Sequence, residues 1–393
     1  MTGRRRGWCP SLFEPVASGD GLLARVKPPL GRLSGEAARA LAAASRSWGN
    51  GHVELTNRAG LQVRGLSEAS LRPFQEAMLA AGLAHADSAV ERRRNLVVSP
   101  LASPAVLALA IELESWIADD RALAALPSKF GFAVEAPGGD IGIEPGSQGW
   151  RIRLDGCATE ALTAAPLAVV QAITHRFLKL AAESAEPPRR MAGLVRCHGP
   201  EALFAGTNAC LVAATPPARP PPRAGRLGTD GAFALGLPLG AFTAEELGLA
   251  ADLAGRFADG ELRTSSWRAL VLAGVSDEAA LATAARAAGF VADPDDVRLS
   301  VITCAGAPGC ASAHAAVRAD AAFVAARAPR GLVHLSGCAK GCAHPTPAAF
   351  TLVAATDGYG LVRDGRAADP PERRGLTLQD AVQLLAAEPA EIP

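Results

Sequence analysis

An internal duplication constrains this 393-residue chain more than any other feature. The first half runs from Ser18-Gly-Asp-Gly21 through a helix-like stretch at Gly35 to Trp48, a strand pair at Val53 to Gly65 and a helix at Glu68 to Ala81. The second half offers Thr229 to Gly240, a helix at Ala244 to Phe257, a strand pair at Glu261 to Gly274 and a helix at Glu278 to Ala288. Gly65 falls on Gly274, 209 residues further on, and Asp20 on Asp230, 210 further on. So steady a spacing implies two copies of one unit related by a pseudo-twofold axis.

Each copy continues into a β-branched strand, Asn95 to Ser99 and Leu299 to Thr303, and then a long helix, expected at Pro104 to Asp119 and at Ala311 to Ala326. Strands and helices interleave, which makes the class mixed α/β (α+β). Between the copies, Ala214-Thr-Pro-Pro-Ala-Arg-Pro-Pro-Pro-Arg223 excludes helix and central strand. Proline lacks the amide donor and fixes its own backbone angle, so this segment reads as a stiff linker.

A chain of this length outgrows a single core. The 39 basic and 39 acidic residues cancel, so no global field favours nucleic acid or an acidic membrane surface. No apolar run reaches the roughly 18 residues of a membrane span, and Met1-Thr-Gly-Arg-Arg-Arg-Gly leads into Trp8-Cys9-Pro10 rather than an apolar signal core. The expectation is a cytoplasmic protein with neither nucleic acid nor membrane as partner.

Of eight cysteines, Cys9, Cys157, Cys197 and Cys210 are scattered, while Cys304, Cys310, Cys338 and Cys342 are clustered. Cys304-Ala-Gly-Ala-Pro-Gly-Cys310 follows a strand, and Gly337-Cys338-Ala-Lys-Gly-Cys342 repeats the small-residue loop. Thiolates converging on one cubane need the backbone freedom that glycine gives. A tetrahedral zinc site is the competing reading, although zinc more often uses two short knuckles.

The Cys-x5-Cys and Cys-x3-Cys pair resembles the signature of the sulfite and nitrite reductase superfamily, whose members are internally duplicated. The resemblance implies two ferredoxin-like half-domains, at 1–88 and 227–295, and two α/β domains. The first of these, 89–213, would bind a tetrapyrrole, 214–226 would be linker, and 296–393 would carry the iron-sulfur cluster. Cys304, Cys310, Cys338 and Cys342 would hold a 4Fe-4S cluster, and in the reductases the last cysteine also bridges to siroheme.

A polycarboxylate tetrapyrrole needs cations on rigid elements, and guanidinium forks suit carboxylates. Thr56-Asn-Arg58-Ala-Gly-Leu-Gln62-Val-Arg64 alternates along a strand, so Arg58, Gln62 and Arg64 are expected on one face. Glu91-Arg-Arg-Arg94 adds a basic cluster, and Leu126-Pro-Ser-Lys129-Phe a lysine. Arg58, Gln62, Arg94 and Lys129 match family positions for tetrapyrrole or substrate contact, and Arg64 is a further substrate-binding candidate.

Two departures bear on the substrate. Gly131 replaces the second lysine of the reductases' oxyanion clamp, and Ala339-Lys340 replaces their Pro-Asn. Loss of a cation beside a reacting oxyanion removes several kcal/mol of charge stabilisation. With Ser18-Gly-Asp-Gly21 and Pro127-Ser-Lys-Phe-Gly-Phe132, the chain resembles the precorrin-3B synthase branch of the superfamily. That branch implies oxygen-dependent hydroxylation of a tetrapyrrole substrate, with NADH and O2 as co-substrates, an electron donor or reductase as partner, and a mononuclear non-haem iron. His314, His334 and His344 are candidates for that iron, and Lys340 and His344 for catalysis. The alternatives are a siroheme-dependent sulfite or nitrite reductase and a non-catalytic iron-sulfur or tetrapyrrole-binding protein.

Overall fold

The computed structural model describes residues 10–215, 221–228, 231–327 and 331–387. Trp8, Cys9, Asp230 and part of the proline-rich linker lie outside them. The remainder of the linker ends in a strand, Gly225–Leu227, which already belongs to the second copy.

Two five-stranded sheets form the base of the molecule. One runs Val16–Ser18, Gly21–Val26, Leu61–Leu66, His52–Leu55 and ends on Ala241–Thr243; the other runs Gly225–Leu227, Ala232–Gly236, Ala269–Leu272, Glu261–Thr264 and ends on Arg32–Ser34. Each half therefore lends its short edge strand to the other, antiparallel in both cases. A lent strand satisfies edge groups that would otherwise face solvent.

The duplication is visible in backbone detail. Leu30 and Leu239, and again Ala59 and Arg268, are non-glycine residues with φ of 52° and 60°, 55° and 61°. Helix Gly35–Trp48 starts on Ser34, whose side chain accepts from Ala37 N, and helix Ala244–Phe257 starts on Thr243 in a capping box with Glu246. These two helices bury a common core with residues from both halves, among them Leu41, Phe74, Met78, Leu247, Leu281 and Phe290.

On this base sit two α/β domains of matching topology. The first has Leu96–Val98, Phe132–Val134 and Ile141–Gly146 in parallel, then Gly149–Leu154, Thr159–Thr163 and Cys210–Ala213 antiparallel. The second has Val301–Thr303, Val333–Ser336 and Ala348–Ala355 in parallel, then Gly358–Gly365 and the edge strand Arg373–Leu376 antiparallel. Helix Pro104–Asp119 occupies its expected range. The helix expected from Ala311 begins at Val317 instead. Residues 311–316 are drawn off by hydrogen bonds to the cysteine loops, from Ala313 N to Cys310 O and from His314 N to Gly337 O. Among the described residues, no helix is long and apolar enough to cross a membrane.

Candidate active site

Strands Val301–Thr303 and Val333–Ser336 run parallel and end side by side, and each leads into a cysteine loop. The crevice beyond the carboxyl ends of parallel strands is where open α/β sheets take their ligands. Cys310 N donates to Gly306 O at 2.7 Å and Ala307 N to Ala315 O at 2.9 Å, folding the first loop on itself, and His314 N donates to Gly337 O at 2.8 Å, tying it to the second. Gly337 N donates to Cys304 Sγ at 3.3 Å. A Cβ on Gly337 would stand 2.9 Å from the Ala313 Cβ, so only glycine permits this approach.

Cys304, Cys310, Cys338 and Cys342 all line one cavity of about 330 Å³. Burial pushes the Cys342 thiol up, the other three thiols push it further, and Lys340 opposes them. Such mutual influence belongs to sulfurs gathered in one small space, and compensating metal charge would reverse it. The set fits a four-iron cubane, which takes one thiolate at each of four corners, better than zinc, which draws all of them onto one ion. Among the described residues, no three His, Cys, Asp or Glu side chains group tightly enough for a single ion.

That grouping also leaves the expected mononuclear iron without a ligand set among the described residues. His314 lines a different cavity, with Ala339 and Asp357. His334 is fully buried with its ring centroid 5.7 Å from that of His344, and neither of its ring nitrogens has a hydrogen-bond partner. Burial, then His344 and Arg268, lower its pKa to about 4, which keeps it neutral. His344 is partnered by Thr346 Oγ1 at 3.0 Å.

The same cavity is lined by guanidinium groups arranged on Glu54. This carboxylate accepts from Arg318 at 2.6 Å and Gln62 Nε2 at 3.0 Å, and stands 3.6 Å from Arg64. Gln62 Oε1 in turn accepts from Arg25 at 2.7 Å. Arg64 also donates to both Asp20 oxygens at 2.9 Å, to Ser18 Oγ at 2.6 Å and to the Gly309 carbonyl. Ser18 Oγ and Gly19 N donate to the same carbonyl, so Arg64 latches the first cysteine loop onto the first half of the chain. Burial works against the charge on Arg64, and Asp20 and Glu54 outweigh it, raising the pKa.

Gln62 and Arg64 share a face of strand Leu61–Leu66, but Arg58 precedes that strand, in the hairpin turn, so strand alternation does not govern it. Arg58 lines an adjoining cavity of about 240 Å³ together with Lys27, Asn95 and Gly131, and the two cavities share Arg25 and Asn57. Its Nη1 donates to the Lys129 carbonyl at 3.2 Å. The Lys129 side chain is in neither lining. Arg94 is buried and committed to Glu91 at 2.8 Å and Glu114 at 3.1 Å. Arg93 caps helix Pro104–Asp119 through the Ile117 and Ala118 carbonyls, and Arg92 donates to Ala124 O. The basic cluster at 92–94 is thus largely spent inside the protein.

The Nitrite/Sulfite reductase ferredoxin-like half domain family matches residues 15–81 and 225–288, the two base units. The structure of the Mycobacterium tuberculosis NirA protein shares the fold, with a TM-score of 0.69 and 16% identity over 88% of this chain and 74% of that one. The ferredoxin–nitrite reductase of Synechococcus elongatus is 25% identical, across 89% of this chain and 79% of its own. The precorrin-3B synthase of a Sinorhizobium species is 33% identical over 402 aligned positions, 93% of this chain and 84% of its own. The chain belongs to the precorrin-3B synthase family.

In this member of the precorrin-3B synthase family the second copy contributes more to the cavity than sequence reasoning indicated. Arg268 enters it from the hairpin turn of the second half, and Arg318 from helix Val317–Ala325. Arg268 had a usable signal, since the 209-residue spacing sets it on Ala59, next to Arg58 in the same turn. Arg318 and the organising Glu54 had none. Lys340 lines the cavity with its Nζ 2.8 Å from Ser312 Oγ, whereas His344 stays outside the lining.

Proposed function

We propose that this chain is a precorrin-3B synthase: it hydroxylates precorrin-3A at C20 with one atom of dioxygen while the ring-A acetate closes onto C1 as a γ-lactone, a step of aerobic cobalamin biosynthesis. The second oxygen atom leaves as water, which consumes two electrons and two protons, drawn from NADH through a separate donor or reductase. The observation that carries this reading is one cavity lined both by four thiols and by the guanidinium groups of Arg25, Arg64, Arg268 and Arg318. Electron delivery and carboxylate recognition meet there.

Cys304, Cys310, Cys338 and Cys342 would hold a 4Fe-4S cluster, which supplies electrons one at a time. The remaining work falls to side chains. Glu54 fixes Gln62, Arg64 and Arg318 in one array, organised before a substrate carboxylate arrives, which lowers the cost of binding. Arg64 holds the cysteine loop against this array. Lys340 reaches the cavity between Cys338 and Cys342 and is placed to face a carboxylate arm or hand on a proton. Arg58 serves the adjoining cavity.

A small-oxyanion reductase is the weaker reading. Arg25 and Arg58 line the adjoining cavity, but Gly131 offers no cation where the reductases carry their second clamp lysine, Lys27 lies 3.8 Å from Glu91, and Arg94 is paired twice. Dioxygen is neutral and needs no such clamp. Protein reconstituted with iron and sulfide, given precorrin-3A and a reductant, is expected to yield an oxygen-dependent mass gain of one oxygen atom. Siroheme absorption in the isolated protein, with sulfite or nitrite consumption, would overturn the assignment.

A further inference from the structure

Charge pairing along the cavity is uneven. Arg64 is neutralised by Asp20 and Glu54, and Arg318 by Glu54. Arg268 lines the same cavity, and among the described residues no carboxylate makes a close ion pair with it, Glu54 favouring its charge only from further off. Its hydrogen bond is to a neutral acceptor, the Ala343 carbonyl, at 2.9 Å from Nη2. Arg223 adds a second positive charge nearby, and its hydrogen bond among the described residues is to a carbonyl, that of Leu299 at 2.6 Å.

The position of Arg268 is built. Its turn holds it at φ 61°, a left-handed backbone that a bulky residue adopts at a cost. Its stem packs on Gly240, where a Cβ would lie 2.6 Å from the Arg268 Cδ. One prong of the fork is fixed on Ala343, in the loop just past Cys342. A guanidinium so seated, partly desolvated and short of an anion, is arranged for a carboxylate from outside the chain.

We infer that Arg268 anchors one carboxylate arm of the tetrapyrrole on the cluster side of the cavity, and so sets which edge of the macrocycle faces the thiols. The inference rests on the proposed function and adds to it a contact from the second copy. The first copy has no equivalent, because Ala59 occupies the same turn.

Equilibrium titration with uroporphyrin, an octacarboxylate tetrapyrrole, tests it on the full chain carrying its iron and sulfide. R268Q is expected to bind at least tenfold more weakly with unchanged iron and sulfide content, and R268K, which keeps the charge, within threefold of native. Native-like binding by R268Q, or an equal loss in R268K, would overturn the assignment. If R268Q loses its iron and sulfide, A343D decides instead, since it gives Arg268 an internal carboxylate; a tenfold loss is expected and unchanged affinity refutes. Failure of the native protein to bind uroporphyrin would bring down the tetrapyrrole reading and this inference with it, whereas intact native binding beside an unaffected R268Q removes the inference alone.

Discussion

In the first α/β domain the leading strand is followed by five loop residues, 99–103, and the next strand by six, 135–140; in the second domain the corresponding loops have thirteen, 304–316, and eleven, 337–347. The strands keep the same order and the same parallel-to-antiparallel switch. Chemistry has therefore entered one copy through its loops, at the strand ends where a scaffold tolerates insertion and exposes side chains. The first copy spends its polar loop residues on structure. Asp140, fully buried, accepts from Gly131 N at 3.0 Å, Arg190 at 2.9 Å and Met191 N at 2.8 Å. Burial raises the pKa of Glu135, which Ser99 lowers only in part.

The sharpest break of this comparison is at the thiols. Cys342→Ser should abolish nearly all bound iron and sulfide, while Ser99→Ala, in the first-copy counterpart of the Cys304 loop, should leave both unchanged, as metal and sulfide analysis would record. Retention of the cluster by Cys342→Ser would sink the ligand assignment.

Next in size is Arg94. Removing one partner of a buried ion pair leaves uncompensated charge and typically costs about 3–5 kcal/mol. Arg94→Gln leaves the fully buried Glu91 with only Lys27, at 3.8 Å, as a charged partner, so chemical denaturation should show a loss towards the lower end of that range. Uroporphyrin affinity per folded molecule should hardly change, and a selective loss of binding would return Arg94 to the pocket.

A smaller effect is expected at the latch between the copies. Charge-assisted hydrogen bonds contribute about 1.5–3 kcal/mol, so Arg64→Met should speed amide exchange in 304–310 by tenfold or more. Exchange at native rates would show that Ser18 and Gly19 suffice to hold the loop.

The mildest test uses pH. His334 has a folded pKa of about 4, below its ordinary 6.5. Its contribution is fully present above pH 6.5 and is lost as pH falls towards 4, about 2 kcal/mol by pH 5. His334→Phe should flatten that part of the stability–pH curve; an unchanged slope would assign it to other groups.

Much of the frame was legible because it is periodic or compositional. The 209-residue spacing reappears in paired left-handed residues, and Pro104–Asp119 follows from its N-cap serine, proline at N1 and apolar stripe. The cysteine spacing placed all four thiols in one cavity. The basic residues were harder to read. A run such as Arg92-Arg-Arg94 looks like an anion site in sequence, but which of its members meet a carboxylate depends on helices far away in the chain.

The sequence by itself determined the duplication, the mixed α/β class and the four thiols, since each depends on local pattern or on spacing along the chain. Only the tertiary structure decided that the halves exchange edge strands, that Arg94 makes close ion pairs while Arg268 makes none among the described residues, and that the helix after the first cysteine loop starts late. Those outcomes depend on which charges and backbone groups are brought together across distances of up to 291 residues, as between Ser18 and Gly309. Pairing of that kind is a property of packing, which no local pattern encodes.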